Sequence, residues 1–397
     1  MKKLLAFAVS ALMAFGLAGC GGDDDSSSAT TSGTDNTTTT TPAGGEILVG
    51  CLQDVTGATS TLGKMVEEGV KWAVDEINAA GGVDGKTIKV ITYDTKGDVN
   101  EAINAFTRAV TSDKVSAIVG PPVANIALAI APISEQYDVP VLGFALDSKA
   151  QVKEDGTPYK NMFAFQPNAN DQGSIMASYA IQNGFSKFGA IYNESNAYST
   201  SLLAPFVSTI EDNGGTVAAK VAYNPNDKDF KTLLNKIIKE DVDAIYVPNY
   251  TQDLILIAQQ ARALGFEGAL ICGLDACPPF NTLMGEDCDD IYFINNVDDT
   301  EAQLQTLITD VKDKTGIDAT NKFFLGYDVA YILSEIFAEV GTDPAAVRDE
   351  VENVTNYEGL TGSITINPET HMPTGLEMVM FKYEGTTPVM LERYSAQ

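Results

Sequence analysis

From Glu46 onward, short apolar runs alternate with segments in which apolar residues recur every three or four positions. Residues 47–52 form the first run and predict a strand that is buried on both faces. In residues 63–80 the apolar side chains have the spacing of one helix face, and Gly81 and Gly82 follow as a helix stop. The body of the chain is therefore predicted to begin with a strand and a helix.

The same alternation continues through two successive arrays. In the first array, further strands are predicted at 87–93, 115–119 and 139–142, and helices at 98–112 and 123–137. In the second array, helices are predicted at 171–183, 199–213, 228–240 and 252–264, and strands at 188–192, 217–223, 244–247 and 269–272. Alternating strands and helices are typical of parallel sheets with right-handed crossovers. The predicted fold class is α/β, with two doubly wound parallel-sheet lobes.

Multiple hinge crossings are predicted to join the lobes. The strand-like residues 162–167, between the arrays, are interpreted as one crossing, and the segment after residue 293 is too short for a third domain. Its predicted elements are helices at 327–340 and 344–354 and strands at 363–366 and 378–383. We assign the lobes as follows: residues 46–164 plus about 294–361 to lobe 1, and residues 165–293 plus about 362–397 to lobe 2. A ligand site is expected in the cleft between them.

The N-terminal segment is expected to direct export. Lys2 and Lys3 precede an uncharged apolar run, which is typical of a secretory signal peptide over residues 1–19. A membrane-spanning anchor is the alternative, although the run is shorter than the roughly 20 residues that a helix needs to cross the hydrocarbon.

The end of that segment suggests lipid attachment. Residues 17–20 (LAGC) resemble the lipobox of bacterial lipoproteins, in which the cysteine, here Cys20, is acylated and becomes the new N-terminus. Residues 20–45 would then be the lipid-attached cysteine and a disordered linker rich in Thr, Gly, Ser and Asp. The protein is expected to be extracytoplasmic and anchored to the bacterial cell membrane.

Composition and charge narrow the function classes. The chain has 397 residues, of which 44% are hydrophobic and 20% charged, as in globular proteins with more than one core. Lys and Arg number 25 against 54 for Asp and Glu, so the formal net charge of −29 argues against nucleic acid as a partner. His371 is the single histidine, so no second imidazole is present for a His-rich metal site, and Ser-His or Cys-His catalysis would depend on this one residue. Most hydrolase chemistry is therefore not expected, and we interpret His371 as a surface residue.

Three segments carry a family resemblance: residues 47–63, residues 73–85 (AVDEINAAGGVDG) and residues 117–121 (AIVGP). They resemble the Leu/Ile/Val-binding type of type I periplasmic binding protein, and the similarity extends over about residues 46–390. The resemblance implies an extracytoplasmic substrate-binding lipoprotein of an ABC importer, whose lobes close over an amino acid or a related small amine or amide. It further implies permease subunits and a membrane as partners, a monomer, no cofactor and no enzymatic activity.

The resemblance also places ligand-binding positions on this chain, some of which depart from the family pattern. The family's Ser and Thr that bind the ligand carboxylate fall on Ala124 and Asp147, so both hydroxyls are missing. Asn125 is a candidate amide donor beside Ala124, and Ala145 is assigned to the site in the same loop as Asp147. Backbone N–H groups at the helix start are expected to assist, because helix N-termini favour anions.

Three other positions agree better with the family. Tyr198 and Tyr250 align with aromatic residues that line the ligand cleft in the family. The alternative role for both tyrosines is packing at the rim of a lobe. Asp275 falls on the acid that binds the ligand ammonium, with a solvated loop acid as the alternative. Asp54 stands where the family often has proline. If Asp54, Asp147 and Asp275 all face one cleft, the ligand is expected to carry more positive charge than a neutral zwitterion.

The remaining cysteines suggest a disulfide rather than a metal site. Cys277 and Cys288 bracket a short loop, and a bridge between them is expected in an exported protein. A zinc site on Cys272, Cys277 and Cys288 is the alternative, but it lacks a Cys-x-x-Cys pair. No metal site is predicted.

Two other functions stay open at this point. One is a ligand-sensing receptor module of the same fold that signals to a membrane partner. The other is a secreted hydrolase with paired carboxylates, for which no motif sets the required separation of the two acids.

Overall fold

The computed structural model describes residues 44–285 and 288–395. The predicted signal peptide, Cys20 and nearly all of the predicted linker lie outside these residues. Within the described part of the chain, no helix has both the length and the apolar character needed to cross a bilayer.

The first part of lobe 1 alternates strands and helices as the hydrophobic pattern predicts. Its elements are β1 (Glu46–Gln53), α1 (Ser60–Ala79), β2 (Thr87–Asp94), α2 (Val99–Arg108), β3 (Ala117–Val119), α3 (Ala124–Ser134), β4 (Val141–Gly143) and β5 (Met162–Ala164). The strands pair in parallel in the order β2-β1-β3-β4-β5. Because β1 lies inside the sheet and is buried along most of its length, its sequence is a nearly continuous apolar run.

Lobe 2 repeats this arrangement. Its elements are α4 (Ala169–Gln182), β6 (Lys187–Asn193), α5 (Ala197–Asp212), β7 (Thr216–Tyr223), α6 (Lys231–Ile238), β8 (Ala244–Val247), α7 (Thr251–Ala263), β9 (Ala269–Cys272), α8 (Phe280–Met284) and β10 (Ile291–Asn295). Strands β6 to β10 are parallel. The carboxyl ends of the strands in each lobe lead into the loops that form the cleft described below.

The rest of the chain returns to lobe 1 and then completes lobe 2. Its elements are α9 (Gln305–Thr315), α10 (Asn321–Val340), α11 (Pro344–Val351), β11 (Tyr357–Gly359), β12 (Gly362–Asn367), β13 (Met372–Thr374), β14 (Glu377–Glu384) and β15 (Thr387–Ser395). Strands β11 to β13 form a small antiparallel sheet. The hairpin β14-β15 extends the lobe 2 sheet, whose order is β15-β14-β10-β9-β8-β6-β7. The predicted α/β fold with two parallel-sheet lobes is confirmed.

Three crossings connect the lobes in the described residues: after β5, after β10, and between β13 and β14. The third crossing corrects the predicted boundary at residue 361. Residues 362–374 belong with lobe 1, because Ile364 and Ile366 of β12 pack in the same core as Val49 and Phe163. Likewise, β10 keeps residues 294–295 in lobe 2.

Helices α1 and α10 pack closely in lobe 1, and glycines make this contact possible. A Cβ at Gly69 would lie 2.0 Å from the carbonyl oxygen of Phe323, and a Cβ at Gly326 would lie 2.4 Å from that of Val66. Any larger residue at either glycine would push the helices apart. The start of α10 is therefore held firmly against the lobe 1 framework.

His371 is buried, which corrects its interpretation as a surface residue. Its ring stacks on Phe163 at a centroid distance of 4.3 Å, and its Nδ1 lies 3.0 Å from the Tyr159 carbonyl oxygen. Its own carbonyl accepts a hydrogen bond from the Ala164 N–H. Burial lowers the pKa of the imidazole, with the nearby Glu352 carboxylate acting in the opposite direction. His371 therefore fastens β13 to β5 and has a structural role.

The cysteines are buried thiols. Cys277 has a free thiol, so the expected bridge to Cys288 is not formed in this structure. Both side chains pack in the apolar core of lobe 2. Burial raises the pKa of the Cys277 thiol well above its usual range, which disfavours the reactive thiolate.

Candidate functional site

Two adjoining cavities lie between the lobes. One has a volume of about 310 Å³ and the other of about 370 Å³. Both are lined from lobe 1 by Ala58 and Thr59, which follow β1, and from lobe 2 by Tyr250 and Gln252, which lie at the start of α7. We refer to the two cavities together as the interlobe cleft. Its position matches the site expected for open parallel sheets that face each other.

Tyr198 and Tyr250 form the aromatic part of the lobe 2 face. Their rings stack at a centroid distance of 4.7 Å with an interplanar angle of 12°. Tyr198 is near the start of α5 and Tyr250 immediately precedes α7. The loops before these helices follow β6 and β8, which are neighbours in the sheet, and this brings the two rings together. Neither hydroxyl has a hydrogen-bond partner in the described residues, although both are buried. Burial raises the pKa of both phenols, and the Asp275 carboxylate adds to the effect.

Asp275 carries the unsatisfied charge of this face. It lies in the short 3₁₀ turn Leu274–Ala276 after β9, and only 6% of its surface is exposed. Its Oδ1 accepts a hydrogen bond of 3.2 Å from the Thr251 hydroxyl, whereas its Oδ2 finds no partner within the described part of the chain. Burial raises the pKa of Asp275, and the Lys322 ammonium together with the nearby Tyr198 and Thr251 hydroxyls opposes that rise. A buried carboxylate oxygen without a donor is the arrangement that a ligand ammonium would complete.

Lys322 is a residue of this region that the sequence reasoning missed. It is the second residue of α10, and only 6% of its surface is exposed. Burial lowers the pKa of its ammonium, and the Asp275 carboxylate raises it. In the sequence, Lys322 directly precedes the apolar residues Phe323 and Phe324, which is consistent with a partly buried lysine. This pattern was not recognised as part of a helix, because the helix was predicted to begin only at residue 327.

Asn125 joins the two lobes. Its Nδ2 donates to the Ser195 carbonyl at 3.0 Å, and its Oδ1 accepts from the Ala197 N–H at 2.7 Å. Asn125 also lines the smaller cavity, but both ends of its amide are engaged in these interlobe hydrogen bonds. In this conformation Asn125 therefore bridges the two lobes. Its role as an amide donor to a ligand stays a prediction, because these hydrogen bonds use only one of the two N–H groups of Nδ2.

Ala124 is the first residue of α3 and is buried. Its methyl side chain has no hydrogen-bonding group, so the backbone N–H groups at the helix start are the polar groups that this position offers. The residue before it, Val123, provides no side-chain cap for the helix. The first N–H groups of α3 therefore lack the partners that a capping side chain would give them. The Tyr250 hydroxyl lies near the Ala124 N–H, which places this helix start beside the aromatic pair.

Asp54 was expected to bind the ligand, but its carboxylate is occupied by hydrogen bonds within its own loop. Its Oδ1 accepts from the Gly57 N–H at 2.5 Å, and its Oδ2 accepts from the Thr59 N–H and hydroxyl at 2.8 and 2.6 Å. The side chain is fully buried beneath this loop. Its charge is satisfied locally, so it holds the loop that lines the cleft.

Asp147 and Ala145 also have local roles. Asp147 Oδ1 accepts from the Lys149 N–H at 3.0 Å and caps a short 3₁₀ turn. Ala145 packs with Ala127 and Ala150 in a small apolar cluster. The expectation of three carboxylates in one cleft is thus corrected: of Asp54, Asp147 and Asp275, only Asp275 lines either cavity.

Comparison with known proteins identifies the family. The sequence profile described as periplasmic binding protein matches residues 46–386. The chain belongs to the periplasmic binding protein family. Its relatives are of the type I, Leu/Ile/Val-binding group, as the sequence resemblance indicated. Members of this group are non-enzymatic substrate-binding proteins of transporters, so this periplasmic binding protein is a binding protein and not an enzyme.

Individual relatives agree with this assignment. The Leu/Ile/Val-binding protein BraC3 of Rhizobium johnstonii is 25% identical over 350 residues, which cover 87% of this chain and 94% of the relative. The leucine-binding protein LivK of Thermotoga maritima superposes with a TM-score of 0.80 at 26% identity, covering 88% and 99% of the two chains. LivJ of Streptococcus pneumoniae, solved with isoleucine, shares the fold with a TM-score of 0.81 at 24% identity over 88% and 99%. The family implies an extracytoplasmic location for this periplasmic binding protein.

Proposed function

We propose that this periplasmic binding protein captures an amino acid between its lobes and presents it to the permease of an ABC importer. The observation that carries the proposal is Asp275: among the residues that the structure describes, its buried Oδ2 has no donor, and the neighbouring hydroxyls of Tyr198 and Tyr250 have no hydrogen-bond partner. A primary ammonium supplies three donors and a charge of the right sign for these acceptors. The names of the relatives, which bind leucine, isoleucine or valine, support an amino acid as the ligand.

The other end of an amino acid also finds a suitable place. The start of α3 offers uncapped N–H groups near the Tyr250 hydroxyl, and helix N-termini attract carboxylates. The α-carboxylate would therefore lie at Ala124 and the ammonium at Asp275. Closure of the lobes, held by Asn125, would shield both groups from water and strengthen each interaction.

Calorimetry with a panel of free amino acids tests this proposal. In the Asp275→Ala variant, the affinity for the amino acids that bind the wild type should fall tenfold or more, which corresponds to about 1.4 kcal/mol. Asp212→Ala, at an exposed acid in α5, is the matched control and should bind as the wild type does. Unchanged affinity in Asp275→Ala would remove this carboxylate from the site.

We further propose that the mature protein is a monomer tethered to the membrane through a lipid on Cys20. The lipobox-like residues 17–20 and the apolar run before them support this anchor. In a bacterial host, Cys20→Ser should move the protein from the membrane fraction to the soluble fraction, whereas Ser27→Ala in the same segment should not. Membrane retention of Cys20→Ser would contradict lipid anchoring at this residue.

A further inference from the structure

A third cavity lies where the chain crosses between the lobes. It has a volume of about 360 Å³, and none of the described residues that line it also lines the interlobe cleft. Its walls include residues between 296 and 303 in the crossing after β10, residues 359–363 of the β11-β12 hairpin, Gly375 of the third crossing, and Arg393 of lobe 2. We refer to it as the hinge cavity. A ligand in it would contact both lobes.

Asn296 brings an unpaired amide to the hinge cavity. It directly follows β10, and only 4% of its surface is exposed. Among the residues that the structure describes, neither its Nδ2 nor its Oδ1 has a hydrogen-bond partner. Its backbone N–H is engaged, because it donates to Asn295 Oδ1 at 2.9 Å. A buried amide without partners costs free energy, so the Asn296 side chain is suited to a ligand that offers it both an acceptor and a donor.

The lining of the hinge cavity has an excess of negative charge. Its charged residues, within the described part of the chain, are Asp298, Glu301, Glu377 and Arg393. The Arg393 guanidinium lies 2.7 Å from a carboxylate oxygen of both Asp298 and Glu301, but 3.6 Å from that of Glu377. One arginine does not neutralise three carboxylates, and Glu377 is the least closely paired of them. The cavity therefore favours a cation over an anion.

The lobe 1 wall of the hinge cavity is held in place by Asp328 of α10. This carboxylate accepts hydrogen bonds of 2.8 Å from the N–H groups of Leu360 and Thr361. A Cβ at Gly359 would lie 2.5 Å from Asp328 Oδ2, so a side chain at this position would displace the wall. Because the wall is fixed without a ligand, binding costs less conformational entropy than it would in a flexible site.

We propose that the hinge cavity is a second ligand site, for a small organic cation that also carries a carboxamide. A carboxamide presents a carbonyl oxygen and an N–H group side by side, so it can accept from Asn296 Nδ2 and donate to Asn296 Oδ1. An ammonium on the same molecule pairs with the Glu377 carboxylate. An uncharged amide lacks this second interaction, and an anion meets repulsion from the carboxylates of the lining. The proposal does not depend on what the interlobe cleft binds.

Calorimetry with glycinamide tests the proposal, because this probe carries one ammonium and one carboxamide. The titrations use the Asp275→Ala variant, which removes the carboxylate of the interlobe cleft and leaves the hinge cavity intact; Asp275→Asn takes its place should Asp275→Ala not fold. Glycinamide should bind about tenfold more tightly than acetamide, since only glycinamide pairs with Glu377. Acetate should not bind. Absence of glycinamide binding, or equal affinity for acetamide, would overturn the proposal.

Further substitutions in the same background assign the glycinamide site to the hinge cavity. Asn296→Leu keeps the branched shape of the side chain but removes both hydrogen-bonding groups, so the affinity for glycinamide should fall about tenfold. Glu377→Gln, at an exposed carboxylate, should lower it about threefold. Asn235→Ala, at an exposed amide of α6 outside the lining of the cavities described here, is the matched control and should leave glycinamide binding unchanged.

Unchanged affinity in folded Asn296→Leu would overturn the proposal, because the bound glycinamide would then lie elsewhere. Should Asn296→Leu fail to fold, Glu377→Gln decides, since the exposed position of Glu377 tolerates a glutamine. Unchanged glycinamide affinity in Glu377→Gln would then overturn the proposal.

Discussion

The two faces of the interlobe cleft use their carboxylates in opposite ways. On lobe 1, Asp54 accepts hydrogen bonds through both oxygens, and Asp147 caps a turn. On lobe 2, Asp275 is buried with one oxygen that has no donor in the described residues. Because a satisfied carboxylate stabilises its own loop and an unsatisfied one costs free energy, the comparison separates acids that hold the structure from the acid that awaits a ligand.

The largest effect is expected when the Asp54 carboxylate is removed, which tests whether this acid has a structural role. In Asp54→Ala, the N–H groups of Gly57 and Thr59 lose their buried acceptor. The free energy of unfolding should fall by about 3 kcal/mol, since each buried group left without a partner costs about 1–3 kcal/mol. Urea denaturation followed by circular dichroism measures this change. An equal loss of stability in Asp275→Ala would show that the two acids share a structural role.

A smaller effect is expected at the contact between the faces. Asn125→Ala removes the hydrogen bonds to Ser195 and Ala197, each worth about 1 kcal/mol in the closed state. Ligand affinity should fall about thirtyfold, because each tenfold corresponds to about 1.4 kcal/mol. The free energy of unfolding should change little, because the lobes themselves stay intact. Asn125→Asp keeps the acceptor for the Ala197 N–H, so its ligand affinity should lie between those of the wild type and Asn125→Ala. Calorimetry with an amino acid that binds the wild type provides the measurement. Full affinity in Asn125→Ala would show that these interlobe hydrogen bonds do not contribute to ligand binding.

The smallest effect is expected at Asp147. In Asp147→Asn the side-chain oxygen still accepts from the Lys149 N–H, so stability should change by less than about 0.5 kcal/mol. Ligand affinity should also stay within twofold of the wild type. A strong loss of affinity would restore Asp147 to the ligand site, where the sequence resemblance first placed it.

Most of the fold was accessible from sequence because buried parallel strands and amphipathic helices leave strong local patterns. Strand β8 and strand β9, for example, have the bounds that their apolar runs predict. The third crossing was misplaced because β12 and β13 show ordinary strand patterns, and only their packing on Val49 and Phe163 assigns them to lobe 1. A pattern identifies an element but not the sheet or core that receives it.

The candidate site was less accessible for a related reason. Asp54, Asp147 and Asp275 all follow strands and look alike in sequence, and only their hydrogen-bond partners distinguish them. Those partners depend on turn geometry within a few residues, which composition does not encode. Lys322 went unnoticed because its importance comes from Asp275, which lies in the other lobe and far away along the chain.

The interleaved path of the chain has a consequence for dissection experiments. Lobe 1 is assembled from two separated stretches of sequence, and so is lobe 2, with its hairpin β14-β15 supplied by the last stretch. A gene truncated before residue 377 would leave the sheet of lobe 2 with β10 as an uncovered edge, a known route to aggregation. Neither half can be produced as one uninterrupted fragment, so an isolated lobe requires a redesigned, relinked polypeptide.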